Sequence, residues 1–316
     1  MVFVIAKSSR YAEECQANYW FRGHCRSSTF LVHWSARRTQ VLTLLPMKMP
    51  RLKTILLTPV ILFVILYIAI MIRVATYDNT APAAAGQPAS LETIAIFGAS
   101  GTAGDGILKA ALANPDIGKI HVITRRTTPR IEAGVASGKV QMTKHMDYLD
   151  YAAIREQMAG VDAVFWAIGI SSVGVDEQTY RRIHVDFPRR FVEEWTNVST
   201  KPGISFHFIS SSDISEDSTT MWVRVKVMSE KALFGFAGNT KLRVIAYRPD
   251  YIGPTDEQAH IGQTLLYWFF SPVGAAVKAT QIGQAMMEVA ARGDEFANGD
   301  KLSTWRIIRY SDAYEQ

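Results

Sequence analysis

The longest unbroken apolar stretch of the chain runs from Thr54 to Ile72, nineteen residues without a charge, closed by Arg51 and Lys53 on one side and Arg73 on the other. At 1.5 Å per residue a helix of that length spans about 28 Å, close to the hydrocarbon thickness of a bilayer. The pattern predicts a single transmembrane anchor over residues 54–72, with Pro59 in the first turns, where a helix tolerates it best. A cleaved signal peptide is the rival reading, because small residues follow at Ala81 and Ala83 to Ala85, but the stretch is long for a signal's apolar region. Residues 73–92, rich in Ala, Pro and Gly, read as a linker.

From Thr93 onward the pattern changes. Short β-rich apolar runs at 93–98, 120–124, 140–145, 161–168, 205–210 and 242–247 alternate with stretches of helical character at 105–114, 151–159, 177–197 and 221–236. Strand and helix in alternation predict an α/β domain with a doubly wound parallel sheet over residues 93–316, its ligands at the carboxyl ends of the strands. A further helical stretch, Val273 to Arg292, is expected to pack on the sheet with Met286 and Met287 in the core. The chain from about 254 is expected to form a small carboxyl-terminal substrate region. Its apolar run Leu265 to Phe270 fits core packing, a lipid-like substrate or a membrane surface equally well.

Charge changes the picture only in its distribution. The 316 residues hold 34 Lys+Arg and 29 Asp+Glu, yet residues 1–53 carry nine basic and two acidic residues, and residues 93–316 carry 24 and 25. A basic arm before a neutral body gives no reason to expect nucleic-acid binding and points to a membrane or targeting element. Five Lys+Arg between Arg37 and Lys53 against one between Arg73 and Glu92 favour a cytoplasmic amino terminus. A body that uses a cytosolic cofactor would favour the opposite, so the side of the large domain stays open. The arm has no sustained periodicity over residues 1–46, and Met47 and Met49 stand just before the anchor, so translation from either is expected, with 1–46 an upstream extension. Both cysteines, Cys15 and Cys25, lie in this arm, which leaves the body without thiol chemistry; no metal site is expected.

The first strand of the body runs straight into Gly98-Ala99-Ser100-Gly101-Thr102-Ala103-Gly104 and then a helix. Glycines at three-residue spacing let the backbone turn tightly, approach a pyrophosphate and pack the helix on the strand, while the helix amino terminus offers free N–H groups to the phosphates. The second strand ends at Arg125-Arg126, where an acid would serve the ribose 2′-hydroxyl of NAD and arginine suits the 2′-phosphate of NADP. NADP is therefore expected ahead of NAD.

These features, with Asp147-Tyr148 after the third strand, Ala167 and Gly169 after the fourth, Ser210-Ser211-Ser212 closing the fifth, Lys226, and Arg248-Pro249 after the sixth, resemble the atypical branch of the short-chain dehydrogenase/reductase superfamily. The resemblance covers residues 93 to about 254. It implies a Rossmann fold and a nicotinamide dinucleotide held by Gly98, Ser100, Gly101, Thr102, Ala103, Gly104, Arg125, Arg126, Asp147, Tyr148, Ala167, Gly169, Lys226 and Pro249. It implies catalytic roles for Ser211, which would polarise a substrate oxygen, and Lys226, which would hold the nicotinamide ribose. In active members a Tyr stands four residues before the Lys, one helical turn away; here that position is Trp222, whose indole does not titrate usefully. The expectation is a membrane-anchored NADP-binding oxidoreductase on an unknown substrate, with an apolar one among the options. A non-catalytic nucleotide sensor that binds a partner, which Trp222 favours, and a nucleotide-dependent epimerase or isomerase are the alternatives.

Overall fold

The computed structural model describes residues 52–77, 80–83 and 89–315. The basic arm up to Arg51, with both cysteines and the expected start sites at Met47 and Met49, lies outside the described residues. Helix α1 (Leu52–Ala75) contains the expected apolar stretch and continues past it, through Arg73; from Leu57 to Ala75 it is long and apolar enough to cross a membrane, and none of that stretch is buried against the body.

The body begins with β1 (Thr93–Phe97), α2 (Thr102–Ala113), β2 (Lys119–Thr124), α3 (Pro129–Ala136) and β3 (Val140–Lys144). It continues with the single-turn α4 (Arg155–Met158), β4 (Ala163–Trp166), α5 (Glu177–Arg181), α6 (Phe187–Val198), β5 (Ile204–Ile209), α7 (Met221–Ala237) and β6 (Leu242–Arg248). The carboxyl-terminal part contributes β7 (Tyr251–Gly253), α8 (Ile261–Phe270), β8 (Ala276–Lys278), α9 (Ala279–Ala291), β9 (Lys301–Ser303) and α10 (Thr304–Tyr314). Seven strands form one sheet in the order β3-β2-β1-β4-β5-β6-β9, every pairing parallel, while β7 and β8 form a separate parallel pair. A parallel sheet is covered on both faces, so its central strands are apolar throughout; all four residues of β4 are buried.

One core cluster lies under α2 and α9 and includes Ile94, Ile96, Phe165, Ile245 and the expected Met286 and Met287; the opposite one, with Phe97, Trp166, Phe191, Trp195 and Phe206, lies under α6 and α7. Helices α2 and α9 touch backbone to backbone. A Cβ on Gly106 would fall 2.1 Å from the carbonyl carbon of Ala279, and one on Gly283 would fall 2.7 Å from the Gly106 oxygen. Only glycine permits that approach.

Three expected helices differ in detail. The stretch 177–197 is broken by a π segment, Arg182–Asp186, between α5 and α6. Pro188 has no N–H to return to the carbonyl of His184, so the ladder shifts register: the Phe187 N–H bonds Arg182 O, and the released His184 carbonyl accepts the Ser229 hydroxyl at 2.7 Å. The stretch 151–159 is a 3-10 turn followed by the short α4. The helix expected from Val273 begins only at Ala279, because Pro272 and Gly274 (φ +72°) end the preceding turn and β8 intervenes. The linker is tied down where it is described: Arg309 Nε donates to Thr80 O (2.9 Å), Arg292 Nη2 to Ala83 O (2.6 Å), and Ala89 N to Ala291 O (2.7 Å). Far from core packing, α8 buries none of its residues.

Candidate functional site

Strand order reverses between β1 and β4: the chain leaves β1 toward β2 and β3, then returns to β4 on the other side. Such a switch point leaves a crevice at the strand carboxyl ends, because the crossovers depart in opposite directions. A cavity of about 460 Å³ opens there, walled by Gly98, Ser100 and Gly101 after β1, by Thr124 at the end of β2 with Arg125 and Arg126 after it, and by Ala167, Ile168, Gly169 and Ile170 after β4.

The glycine turn is built for close approach. Gly98 has φ +81°, and a Cβ there would lie 2.8 Å from the carbonyl carbon of Ala167. A Cβ on Gly104 would lie 2.0 Å from Gly98 O, so this residue welds helix to turn. Gly101 differs: its Cβ would meet only Gly98 O, at 3.5 Å, leaving space toward the cavity. The Gly101 N–H closes the turn on Gly98 O (3.0 Å), and no side chain caps α2, so the first-turn amides carry the positive end of the helix dipole without a protein anion against them. The acid in that turn, Asp105, is buried and engaged elsewhere: Arg130 Nε and Nη2 donate to it at 2.8 and 3.2 Å, and Thr255 Oγ1 at 2.6 Å.

Arg125 and Arg126 are both exposed at the cavity rim, and Arg126 Nη2 reaches toward Ser100 O at 3.4 Å. Tyr148 is buried in the cavity wall, its ring 5.5 Å from Phe187; burial holds its phenol above the usual range, with the charge of Arg125 opposing the shift. Asp147 lies outside the lining, where its exposed carboxylate accepts the Leu149 N–H at 2.9 Å. Met146, Ile183 and Phe187 complete the wall, and reading the sequence did not single them out. Met146 had a signal, since it immediately precedes Asp147-Tyr148; Ile183 and Phe187 arrive only through the π segment.

The second group of candidates gathers around β5 and α7. Lys226 Nζ donates to Ile209 O at 3.2 Å; burial pushes the ammonium down to about 8, against the opposing charge of Glu230. Glu230, one helical turn further along α7, is a buried acceptor for Ser210 Oγ (2.6 Å) and Arg248 Nε (2.9 Å). The i, i+4 spacing from Lys226 could have revealed it. Ser211 is half-buried, and its hydroxyl bonds none of the described residues; the Ser212 N–H donates to Pro249 O at 3.3 Å. Trp222, in the first turn of α7, packs on Tyr180, Val185 and Val225. The two groups meet at His184, which lies 3.4 Å from the Ile170 amide and beneath Gly169, and whose imidazole is held down to about 3 by burial and then by the Lys226 charge. Among the described residues no group of three His, Cys, Asp or Glu is placed to hold a metal ion.

No protein-family model matches the sequence, and a search of curated proteins gives no match. Solved structures do match in fold. A 3-oxoacyl-[acyl-carrier protein] reductase from Brucella melitensis in complex with NAD superposes with TM-score 0.53 at 18% identity, over 71% of this chain and 97% of that one. A short-chain dehydrogenase/reductase from Serratia marcescens gives 0.53 at 16%, over 68% and 97%. An NADPH-dependent 3-quinuclidinone reductase from Rhodotorula rubra gives 0.51 at 14%, over 67% and 89%. With β1 and β4 flanking the crevice and the glycine turn at its floor, the body has the Rossmann-like fold of short-chain dehydrogenases/reductases.

Proposed function

We propose that the protein is a membrane-anchored, NADP-preferring member of the short-chain dehydrogenase/reductase family. The observation that carries this is the uncapped amino terminus of α2, opening through Gly98, Ser100 and Gly101 into a cavity with two exposed arginines on its rim. Fit to a dinucleotide is favoured by the space beside Gly101, where a Cβ would meet nothing closer than 3.5 Å, and by the withdrawal of Asp105 onto Arg130. The α2 amides, with Ser100, Thr102, Ala103 and Gly104 around them, would hold the pyrophosphate, and Arg125 and Arg126 the 2′-phosphate. Tyr148, Ala167, Gly169 and Pro249 would border the cofactor, with Asp147 beside them.

Bound NADPH would supply a hydride, and the chain's part would be to hold and polarise the acceptor. Ser211, whose hydroxyl bonds none of the described residues, would donate to a substrate oxygen, and Lys226 would position the cofactor ribose by leaving Ile209 O for it. Proton delivery has no tyrosine one turn before Lys226, since Trp222 occupies that position. That observation favours the second reading, a nucleotide-binding protein whose catalysis is weak or lost. Beside Thr102, the loop Glu257 to His260 and Gln263 border a further cavity of about 330 Å³, whose lining is mainly polar. The exposed stretch of α1 from Leu57, without a charge until Arg73, supports anchoring at residues 54–72.

Calorimetric titration of the detergent-solubilised chain with NADPH and NADH tests the reading. Selective binding of NADPH is expected. Replacing Arg125 and Arg126 by Glu should weaken NADPH by roughly 10- to 100-fold, the worth of a lost charge-assisted bond, and NADH much less. Equal losses would remove the 2′-phosphate assignment, and no binding of either dinucleotide would overturn the proposal.

A further inference from the structure

Helix α8 is amphipathic in the wrong sense for a water-soluble protein. Ile261, Leu265, Trp268 and Phe269 fall at i, i+4, i+7 and i+8, one face of a helix, and are 83%, 57%, 67% and 45% exposed. The inward face is the more polar one, with Gln263 and Thr264 half-buried and Tyr267 over Gly253, and no residue of the helix is charged. A contiguous outward apolar stripe of this kind marks an interaction surface.

What covers the stripe follows from its neighbour. The hydroxyl of Tyr67, on α1, donates to Phe269 O at 2.7 Å, and the Phe269 ring lies 5.4 Å from that of Tyr67 and 6.4 Å from that of Phe63. Tyr67 precedes Arg73, the charge that ends the apolar stretch, by six residues, or about 9 Å along the helix. Helices that lie in a membrane interface bury their apolar face about 5–10 Å into the headgroup and acyl boundary, the same depth. The exit of α1 is fixed to the body by the Tyr77–Trp305 ring contact (5.6 Å) and the Arg309 and Arg292 bonds to Thr80 and Ala83.

We propose that α8 is a second membrane-inserting element, its Ile261, Leu265, Trp268 and Phe269 stripe lying in the acyl boundary of the leaflet from which α1 emerges toward the body. The proposal rests on α1 spanning the bilayer. It gives the protein two lipid contacts, a span and a helix parallel to the surface, which together hold the body at a defined tilt.

Nitroxide labels on the full chain, with Cys15 and Cys25 replaced by Ser, test both levels. Single cysteines are placed by Trp268→Cys, by Leu265→Cys as a second position on α8, by Val64→Cys in α1 and by Val173→Cys, an exposed loop position. The proteins are reconstituted in phosphatidylcholine vesicles, and collision with lipid-soluble oxygen is compared with collision with an aqueous nickel complex. The expected result is a high oxygen-to-nickel ratio at 64, 265 and 268 and an inverted ratio at 173. Nickel access at 265 and 268 with oxygen access at 64 would overturn the α8 proposal and keep the anchor. Shielding of 265 and 268 from both quenchers would assign the stripe to a protein partner, also overturning it. Nickel access at 64 would remove the anchor and the proposal with it.

Discussion

The carboxylate of Asp105 and the guanidinium of Arg130 form a two-pronged ion pair directly behind the glycine turn, with bonds of 2.8 and 3.2 Å. Thr255 closes the acid from the other side at 2.6 Å, so α2, α3 and the loop after β7 meet on one buried group. An acid in the first turn of α2 would repel a phosphate bound there; paired and turned inward, it stabilises the turn instead.

Asp105 is buried, whereas Arg130 is half-buried and keeps Glu257 at 3.0 Å as a second anion, so removing the acid leaves the guanidinium partly compensated and Thr255 without its acceptor. Asp105→Ala should therefore lower chemical unfolding stability by roughly 1–3 kcal/mol, and Asp105→Asn, which keeps the packing and the Thr255 bond, by less. Equal stability of Asp105→Ala and the parent would mean that the pair contributes nothing net.

The glycines separate structural from binding roles. Gly104→Ala forces a Cβ to 2.0 Å from a backbone oxygen, so it should unsettle the β1–α2 turn and lower the unfolding midpoint as well as NADPH affinity. Gly101→Val has room in the protein and fills space toward the cavity, so affinity should fall by about two orders of magnitude or more with the unfolding midpoint nearly unchanged. Unchanged affinity in Gly101→Val would place the phosphates elsewhere.

Much of the fold was legible in the sequence for one reason: a parallel strand buried on both faces is a run of apolar residues, and a tight strand-to-helix turn needs glycine. Thus β1, β4 and Gly98, Gly101 and Gly104 could be read directly, and so could Arg125 and Arg126, which follow a strand end. The three-residue strands β7, β8 and β9 are too short to show a period. The π segment was hidden because its cause, Pro188, sits in an otherwise helical pattern, and with it went the placement of Ile183 and Phe187 in the cavity wall. The run Leu265 to Phe270 was ambiguous because composition does not tell an inward stripe from an outward one; only burial does.

Trp222 and Lys226 stand one turn apart on α7, and Lys226 already has a lowered affinity for its proton, about 8. A phenol introduced by Trp222→Tyr would lie beside a cation that favours its ionisation, the arrangement that makes a tyrosine a usable proton donor. General acid help is worth about 10²- to 10⁴-fold, so NADPH oxidation with a carbonyl substrate should rise within that range. A smaller side chain also gives up packing against the cluster of Tyr180, Val185 and Val225, and a modest loss of stability should accompany the gain. No gain with a substrate the parent turns over would mean that the pocket differs from a reductase in more than this residue.

Among the described residues four buried histidines set an acid limit on the fold. Burial holds His121 at about 4 and His184 at about 3, and lowers His145 and His207 as well. Each is neutral in the folded protein, whereas in the unfolded chain each takes up a proton near pH 6.5. The unfolded state therefore binds more protons below that pH, and stability present above it is lost as the pH falls toward the folded values. For His121 and His184 the loss is about 1.4 kcal/mol per pH unit each between about pH 6.5 and 4. Urea midpoints of the detergent-solubilised protein should accordingly drop between about pH 7.5 and about pH 5, and His184→Gln, which cannot take up the proton, should flatten the dependence. The same slope in the variant and the parent would show that His184 is not held neutral in the folded state.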